Sequence, residues 1–183
     1  MKMFNKIIMT SEFDVSKLKA GVFYNASNAQ DEVEDGAFVS VLGLENHDLY
    51  TGMKDFNARK ITAYDGTSPI YGFIDYVGVS HANVMGTNYR VGDKTAGLYP
   101  TAGEVVRVRI PELGDEFYLG DENFVSAPTV GQFAAPTAGT TTMTPAAAAP
   151  ASGFAVEVED DRTLITGQVN EGSKLYRCRV ISL

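Results

Sequence analysis

The chain has 183 residues, of which 44% are apolar, and this is enough for one domain with a hydrophobic core. Its net charge of −8, from 23 acidic residues against 15 Lys and Arg, excludes a protein that wraps nucleic acid, because phosphate binding requires an excess of cations. A single cysteine excludes a framework of intramolecular disulfides, and no segment approaches the roughly 20 apolar residues of a membrane-spanning helix.

Residues 1–20 carry scattered apolar side chains without a clear period. Ser11 could cap one or two helical turns that end before Gly21, and an arm packed on the domain fits the same residues. The apolar run near the start is too short for a secretion signal, so we expect a protein made in the cytoplasm. We therefore predict an N-terminal arm or short helix over residues 1–20 and a β domain over residues 21–183.

Three short strands are predicted in the first half of the β domain. The first covers residues 36–42, and the second covers residues 60–64 and ends at Asp65-Gly66, a pair that favours a tight turn. The third covers residues 70–77 and is rich in aromatic and β-branched side chains, which strands favour. Within it, Gly72 predicts either a bulge or a close approach of another backbone segment.

The middle of the chain shows a clearer alternation. Residues 104–110 place Val106, Val108 and Ile110 on one face and two arginines on the other. This pattern predicts that the apolar face lies in the core and that the arginines face solvent or a partner. A Phe-Tyr-Leu strand at residues 117–119 follows between two Gly-Asp-Glu steps.

Residues 154–159 alternate in the same way, with Phe154, Val156 and Val158 predicted to face inward. The next three residues, Asp160-Asp161-Arg162, are predicted to form a hairpin turn.

Residues 174–183 are predicted as the closing strand, in which Tyr176, Cys178 and Val180 share one face. Cys178 is therefore interpreted as a buried core thiol and not as a reactive one. Short strands at this spacing predict a mainly β fold, a small antiparallel barrel or sandwich with extended arms or loops.

The stretch at residues 134–152 differs from the rest of the domain because Ala, Pro and Thr dominate it. A segment with so little charge and so few large apolar side chains does not fold by itself. Strand patterns flank it, so we expect a loop or arm that spans a surface of its own domain or of a neighbouring subunit. A passive surface loop is the alternative. The candidate partner-contact residues are Ala134, Pro136, Thr140, Thr142, Met143, Pro145 and Pro150.

No arrangement of residues predicts catalysis or a bound cofactor. Neither His47 nor His81 accompanies a Gly-x-Ser-x-Gly elbow, and one cysteine with two distant histidines does not make a zinc site. The acidic pairs at 115–116, 121–122 and 160–161 fit no EF-hand spacing and are interpreted as turns. The sequence therefore predicts a protein that is not an enzyme, with no catalytic, cofactor-binding or metal-binding residues.

Four segments carry a resemblance: Gly131-Gln-Phe, the Ala/Pro/Thr tract, Gly153-Phe-Ala-Val-Glu-Val and the terminal KLYRCRVISL. In size and style the chain resembles the head decoration (cement) and auxiliary capsid proteins of tailed bacteriophages, most closely over its last third. Proteins of that group are compact β domains with extended arms that clamp neighbouring capsid subunits. The chain departs from some of them in carrying its tract internally, and no residue-level motif is shared from which binding residues could be transferred.

The resemblance implies a structural virion protein that decorates and stabilises the outside of a capsid by bridging neighbouring capsid subunits. The partners it implies are the major capsid protein and further copies of the chain, with a trimer favoured, and neither nucleic acid nor membrane. The acidic charge agrees with an outer location, because packaged DNA would repel an acidic protein from the inner wall.

Two alternatives come from other classes of protein. A receptor- or carbohydrate-binding module of a phage fibre would gather exposed aromatic side chains on one face, and the candidates are Tyr71, Phe73, Tyr76 and Tyr89. A small hydrolase with a dispersed acidic site would bring carboxylates together in a pocket, and the candidates are Asp115, Asp121 and Asp160.

Overall fold

A computed structural model describes residues 8–9, 17–44, 47–50, 53–55, 58–75, 102–163 and 174–183. Within these residues the chain forms thirteen strands and one short 3₁₀ turn, Asp121–Asn123. The strands of the first half are β1 (Ile8–Met9), β2 (Leu18–Tyr24), β3 (Phe38–Leu44), β4 (His47–Tyr50), β5 (Met53–Asp55), β6 (Arg59–Ala63) and β7 (Tyr71–Ile74). Those of the second half are β8 (Val105–Arg109), β9 (Glu116–Gly120), β10 (Phe133–Pro136), β11 (Met143–Ala146), β12 (Ala155–Thr163) and β13 (Lys174–Ser182).

Five strands close into a barrel in the order β2, β6, β3, β7 and β8. Neighbouring strands pair antiparallel except β2 and β6, which run parallel with Phe23 opposite Ile61. The barrel closes where β8 returns to β2 and places Arg109 opposite Leu18. The predicted mainly β class is confirmed, and the parallel pair is a departure from the antiparallel arrangement expected.

Gly72 lies where β7 runs close to β8. A Cβ atom at this position would lie 2.1 Å from the carbonyl oxygen of Arg109, and real Cβ atoms essentially never come so near another atom. The prediction of a close approach at Gly72 is confirmed, and the absence of a side chain is what lets the two strands meet.

Six strands form a second sheet in the order β1, β9, β13, β12, β10 and β11, all antiparallel. A register shift between Val158 and Asp160 marks a bulge, beyond which β12 continues along β13. Asp161 lies opposite Tyr176 in this extension. The predicted hairpin turn at Asp160-Asp161-Arg162 is therefore wrong, because the bulge absorbs one extra residue and the acidic stretch stays in the ladder. The β4 and β5 strands pair in a separate two-stranded sheet.

The molecule has two cores. The barrel interior is filled by Phe23, Val33, Ala37, Val39, Val41, Ile61, Ile74, Val106 and Val108. The second core lies between the barrel and the six-stranded sheet and contains Phe38, Phe73, Phe117, Leu119, Phe124, Ala134, Met143, Phe154, Val156, Val158, Tyr176, Cys178 and Val180.

Alternation along two barrel strands joins these cores. Val39 and Ile74 point into the barrel, so their neighbours Phe38 and Phe73 point out of it into the second core. The Phe38 ring stacks on Phe154 with centroids 4.7 Å apart, and the Phe73 ring lies 4.8 Å from Phe117. Barrel and sheet therefore share an aromatic junction.

Most inward-facing residues predicted from alternation are buried: Val106, Val108, Phe154, Val156, Val158, Tyr176, Cys178 and Val180. Ile110 is an exception and is only partly buried, because β8 ends at Arg109. Burial raises the pKa of the Cys178 thiol, as expected for an inert core cysteine. At the other end of the domain, β2 begins at Leu18, before the boundary at residue 21 that the sequence predicts.

Candidate contact surface

The Ala/Pro/Thr tract folds as a β-hairpin made of β10 and β11. Phe133 lies opposite Ala146 across the two strands, and Pro136 lies opposite Met143. The turn between them passes through Gly139 at a φ of 84°, which Gly adopts readily. The hairpin is joined to the rest of the sheet through β12. The expected extended arm is thus an ordered part of the sheet.

The inner side of the hairpin belongs to the core. Ala134 and Met143 are each 1% exposed and pack in the second core. The tract, which the sequence predicts not to fold by itself, is thus attached to the domain core through these two side chains. Met143 is the only large apolar residue between positions 134 and 152, so composition alone does not indicate that the tract contributes to the core.

The tip of the hairpin is bonded to the barrel through three backbone hydrogen bonds. The Phe38 amide donates to the Thr141 carbonyl at 2.8 Å, and the Tyr64 amide donates to the Thr140 carbonyl at 3.0 Å. The Gly139 amide donates in return to the Tyr64 carbonyl at 2.7 Å. The hairpin therefore spans the junction and holds barrel and sheet together.

The turn after Tyr64 supports this docking. The Asp65 carboxylate accepts hydrogen bonds from the amides of Thr67 and Ser68, at 2.9 and 2.8 Å, and from the hydroxyls of Ser68 and Ser40, at 2.7 and 3.0 Å. Partial burial by itself would raise the pKa of Asp65, but these hydrogen bonds outweigh it and hold the pKa well below its ordinary value. The ionised carboxylate thus fixes the turn that meets the hairpin tip.

The outer side of the hairpin is uncharged. We call the outward side chains of β10, β11 and the adjoining turn the hairpin face: Phe133, Ala135, Thr137, Thr144 and Ala146. Thr137, Thr144 and Ala146 are exposed, while Phe133 and Ala135 are partly buried. The hydroxyls of Thr137 and Thr144 lie 2.9 Å apart and are hydrogen-bonded to one another. The face is built from small side chains and one aromatic ring.

All seven candidate contact residues lie on or beside the hairpin, but they do not share a face. Ala134 and Met143 point into the core, so their side chains are turned away from any partner. Thr140 lies in the turn, where its amide and hydroxyl both donate to the Thr137 carbonyl. The remaining candidates, Pro136, Thr142, Pro145 and Pro150, are all partly buried.

The neighbouring half of the same sheet carries a ladder of charges on its outer side. We call this set the ion-pair ladder: Glu116 on β9, Arg177 and Arg179 on β13, and Glu157 and Glu159 on β12. Arg179 pairs with Glu157 at 2.9 Å and with Glu159 at 3.1 Å, and Arg177 pairs with Glu116. Hydrogen bonds to Glu116 and Glu157 raise the pKa values of Arg177 and Arg179 respectively.

The outward arginines of β8 are also paired. Arg107 lies 2.9 Å from the carboxylate of Asp75, and Arg109 contacts the same carboxylate. The Asp75 residue is 8% exposed, so its charge requires these partners. Arg107 and Arg109, which the sequence predicts to face solvent or a partner, are therefore paired with a carboxylate of the barrel itself.

The acidic candidates for a hydrolase take part in separate local contacts. Asp115 accepts the amide of Glu112 at 2.7 Å, and Asp160 pairs with Arg162 at 3.1 Å. Asp121 accepts a hydrogen bond from the amide of Lys174 at 3.1 Å. Asp121 also lies near Tyr176, and burial together with this nearby charge raises the pKa of Tyr176 to about 12. Over the residues that the structure describes, no three His, Cys, Asp or Glu side chains form a group able to hold a metal ion.

The aromatic side chains proposed for a carbohydrate-binding face fall into two groups. Tyr71 and Phe73 are described by the structure, whereas the others lie outside the described residues. Phe73 is 1% exposed, and Tyr71 packs against Phe38 in the aromatic junction. Tyr76, Tyr89 and His81 lie outside the described residues. The two aromatic side chains that can be placed therefore serve packing.

Comparison with protein-family models, with curated proteins and with solved structures finds no match to this chain. In the described ranges, no helix has the length and apolar character needed to span a bilayer.

Proposed function

We propose that this chain is a structural protein of a bacteriophage head, which binds the outside of the capsid and stabilises it by bridging neighbouring capsid subunits. The hairpin is the element that makes the bridging contact. The hairpin face carries the bridging role in place of the inward-pointing residues Ala134 and Met143.

The observation behind this proposal is the uncharged segment that runs from residue 123 to residue 156. It contains no Asp, Glu, Lys, Arg or His, although charged residues make up 21% of the chain. A solvent-exposed segment of an acidic protein ordinarily carries charges that keep it soluble. An ordered, exposed and uncharged surface supports a role in contact with other proteins, whose interface cores are depleted of charge.

The architecture supports a structural role in which many copies of the protein each make one contact with the shell. The inner side of the hairpin lies in the core, and its tip is bonded to the barrel. A contact surface held in this way loses little conformational entropy on binding, because it is ordered beforehand. Many copies on a symmetric shell then contribute to its stability together, so each single contact can be weak.

Co-sedimentation tests the proposal. The purified protein is mixed with empty capsids and the mixture is pelleted. The capsids are assembled from the major capsid protein of the same phage genome that encodes this chain. We expect the protein to pellet with the capsids in a saturable manner and to raise the temperature at which they disassemble. Protein that stays in the supernatant at every capsid concentration would overturn the proposal.

A matched pair of variants locates the contact. Thr144 lies on the hairpin face, and Ser27 lies in an exposed turn after β2. The change Thr144→Arg should reduce the bound fraction about tenfold or more, whereas Ser27→Arg should leave it unchanged. Equal losses in both variants would move the contact away from the hairpin.

A further inference from the structure

The edge of the sheet beside the hairpin face is closed to further strands. β11 is the last strand of this sheet in the described part of the chain, so its outer edge would be the place for a partner strand to add. The Val125 amide already donates to the Met143 carbonyl at 2.9 Å and covers one end of this edge. Pro145, two residues further along, has no amide hydrogen to offer.

The covering segment and the proline together oppose strand addition, one of the ways in which a sheet binds a partner. Strand addition requires a row of free donors and acceptors, and proteins block it with prolines and covering segments. The hairpin can then be approached only through its outward side chains. A partner must therefore dock face-on.

The chemistry of the face specifies the partner surface. The hairpin face presents methyl groups, threonine hydroxyls and the half-buried ring of Phe133. A charged side chain docked against it would lose its hydration without gaining a counter-charge, and that loss is unfavourable. Small side chains on a sheet also present little relief, so the complementary surface is flat.

We infer that the hairpin face docks face-on against a flat, uncharged patch of a capsid subunit and that the net charge of the protein takes no part in attachment. This inference deepens the proposed function and rests on it. The net charge of −8 lies entirely outside residues 123–156, so attachment and solubility are carried by separate parts of the chain.

The first test is the salt dependence of capsid binding. Attachment through opposite charges weakens steeply with ionic strength, whereas contact between uncharged surfaces does not. Between about 50 mM and about 500 mM salt we expect the affinity of the unmodified protein to change by less than about twofold. A fall of about tenfold or more would overturn the inference and leave the proposed function standing.

The second test is the sign of an added charge. We expect Thr144→Lys and Thr144→Glu to weaken binding to a similar extent, about tenfold each, because either charge loses hydration at the contact. The controls Ser27→Lys and Ser27→Glu should bind like the unmodified protein, and all four variants should melt at its temperature. Tighter binding by one sign at position 144 would overturn the inference.

A third variant separates face-on docking from strand addition. Pro145→Ala restores an amide donor at the edge of β11, so a strand-addition mode would gain affinity. Face-on docking predicts no change in affinity, and a gain would overturn it. Failure of the unmodified protein to bind capsids at any salt concentration would instead overturn the proposed function and this inference with it.

Discussion

The two halves of the six-stranded sheet share an inner side and differ on the outer one. The half formed by β9, β13 and β12 carries the ion-pair ladder, in which two arginines pair with three glutamates. The half formed by β10 and β11 carries no charge. On the inner side both halves contribute buried residues to one core, for example Val158 and Met143.

Under the proposed function, this contrast assigns folding to the inner side of the sheet and binding to the outer side of the hairpin. The inner side must pack, and it does so with apolar residues in both halves. The outer side has no such requirement. In one half of the sheet its charged side chains pair with one another, and in the other half it presents an uncharged surface. Bringing the charged half into a dry contact with another protein would strip water from five charges, which is unfavourable. The neutral half has no such barrier.

The largest expected effect tests whether the hairpin belongs to the core. Met143→Asp should lower the free energy of unfolding by roughly 3–5 kcal/mol, because a carboxylate would be buried without a partner. Thr144→Asp, one residue along on the outer side, should change it by less than about 0.5 kcal/mol. Urea denaturation measures both values.

Met143→Ala provides a second measurement if the aspartate variant does not fold. Loss of the buried side chain should cost about 2–5 kcal/mol. Similar stabilities for Met143→Ala and the unmodified protein would mean that the hairpin is an appendage of the sheet.

A smaller effect tests how the hairpin tip is held. Asp65→Ala removes the carboxylate that fixes the turn beside the tip and should cost about 1 kcal/mol at neutral pH. The folded-state pKa of Asp65 lies below its ordinary value of 3.8, so its contribution is present above about pH 4 and is lost as the pH falls through the folded value. The difference in melting temperature between the two proteins should therefore shrink in acid.

Amide hydrogen exchange locates this effect. Faster exchange at Gly139 in Asp65→Ala, with unchanged exchange at Val180 in β13, is the expected pattern. Uniform loss of protection would mean that the turn acts on the whole domain and not on the tip.

The smallest effect concerns the ion-pair ladder. Arg179→Gln removes contacts with Glu157 and Glu159, but Arg179 is 44% exposed, so the change should cost less than about 1 kcal/mol. High salt should shrink this difference further. A cost that exceeds that of Asp65→Ala, or one that salt leaves unchanged, would show that the ladder stabilises the fold.

Local alternation was sufficient to predict the strands whose two sides differ in polarity. Val106 and Val108 in β8, and Val156 and Val158 in β12, face the core as the period-two pattern indicates. The turn at Asp65 and the close approach at Gly72 were also evident, because each depends on the special properties of one residue type.

The remaining features depend on contacts between distant parts of the chain. Asp160 to Arg162 have the composition of a turn, and only the pairing with β13 keeps them in a strand. The hairpin has too few large side chains to signal a strand, and its register follows from pairing with β12. The uncharged segment was visible in the sequence, but the choice between inward Met143 and outward Thr144 required that register.

The way the barrel closes determines when the domain can fold during translation. Leu18 in β2 pairs with Arg109 in β8, about 90 residues later, so the barrel stays open until most of the chain has been made. Phe38 and Phe73 point outward from it and meet Phe117 and Phe154 of the later strands. A nascent chain that stops before β12 therefore displays an aromatic surface without its cover, and at that stage we expect it to depend on chaperones.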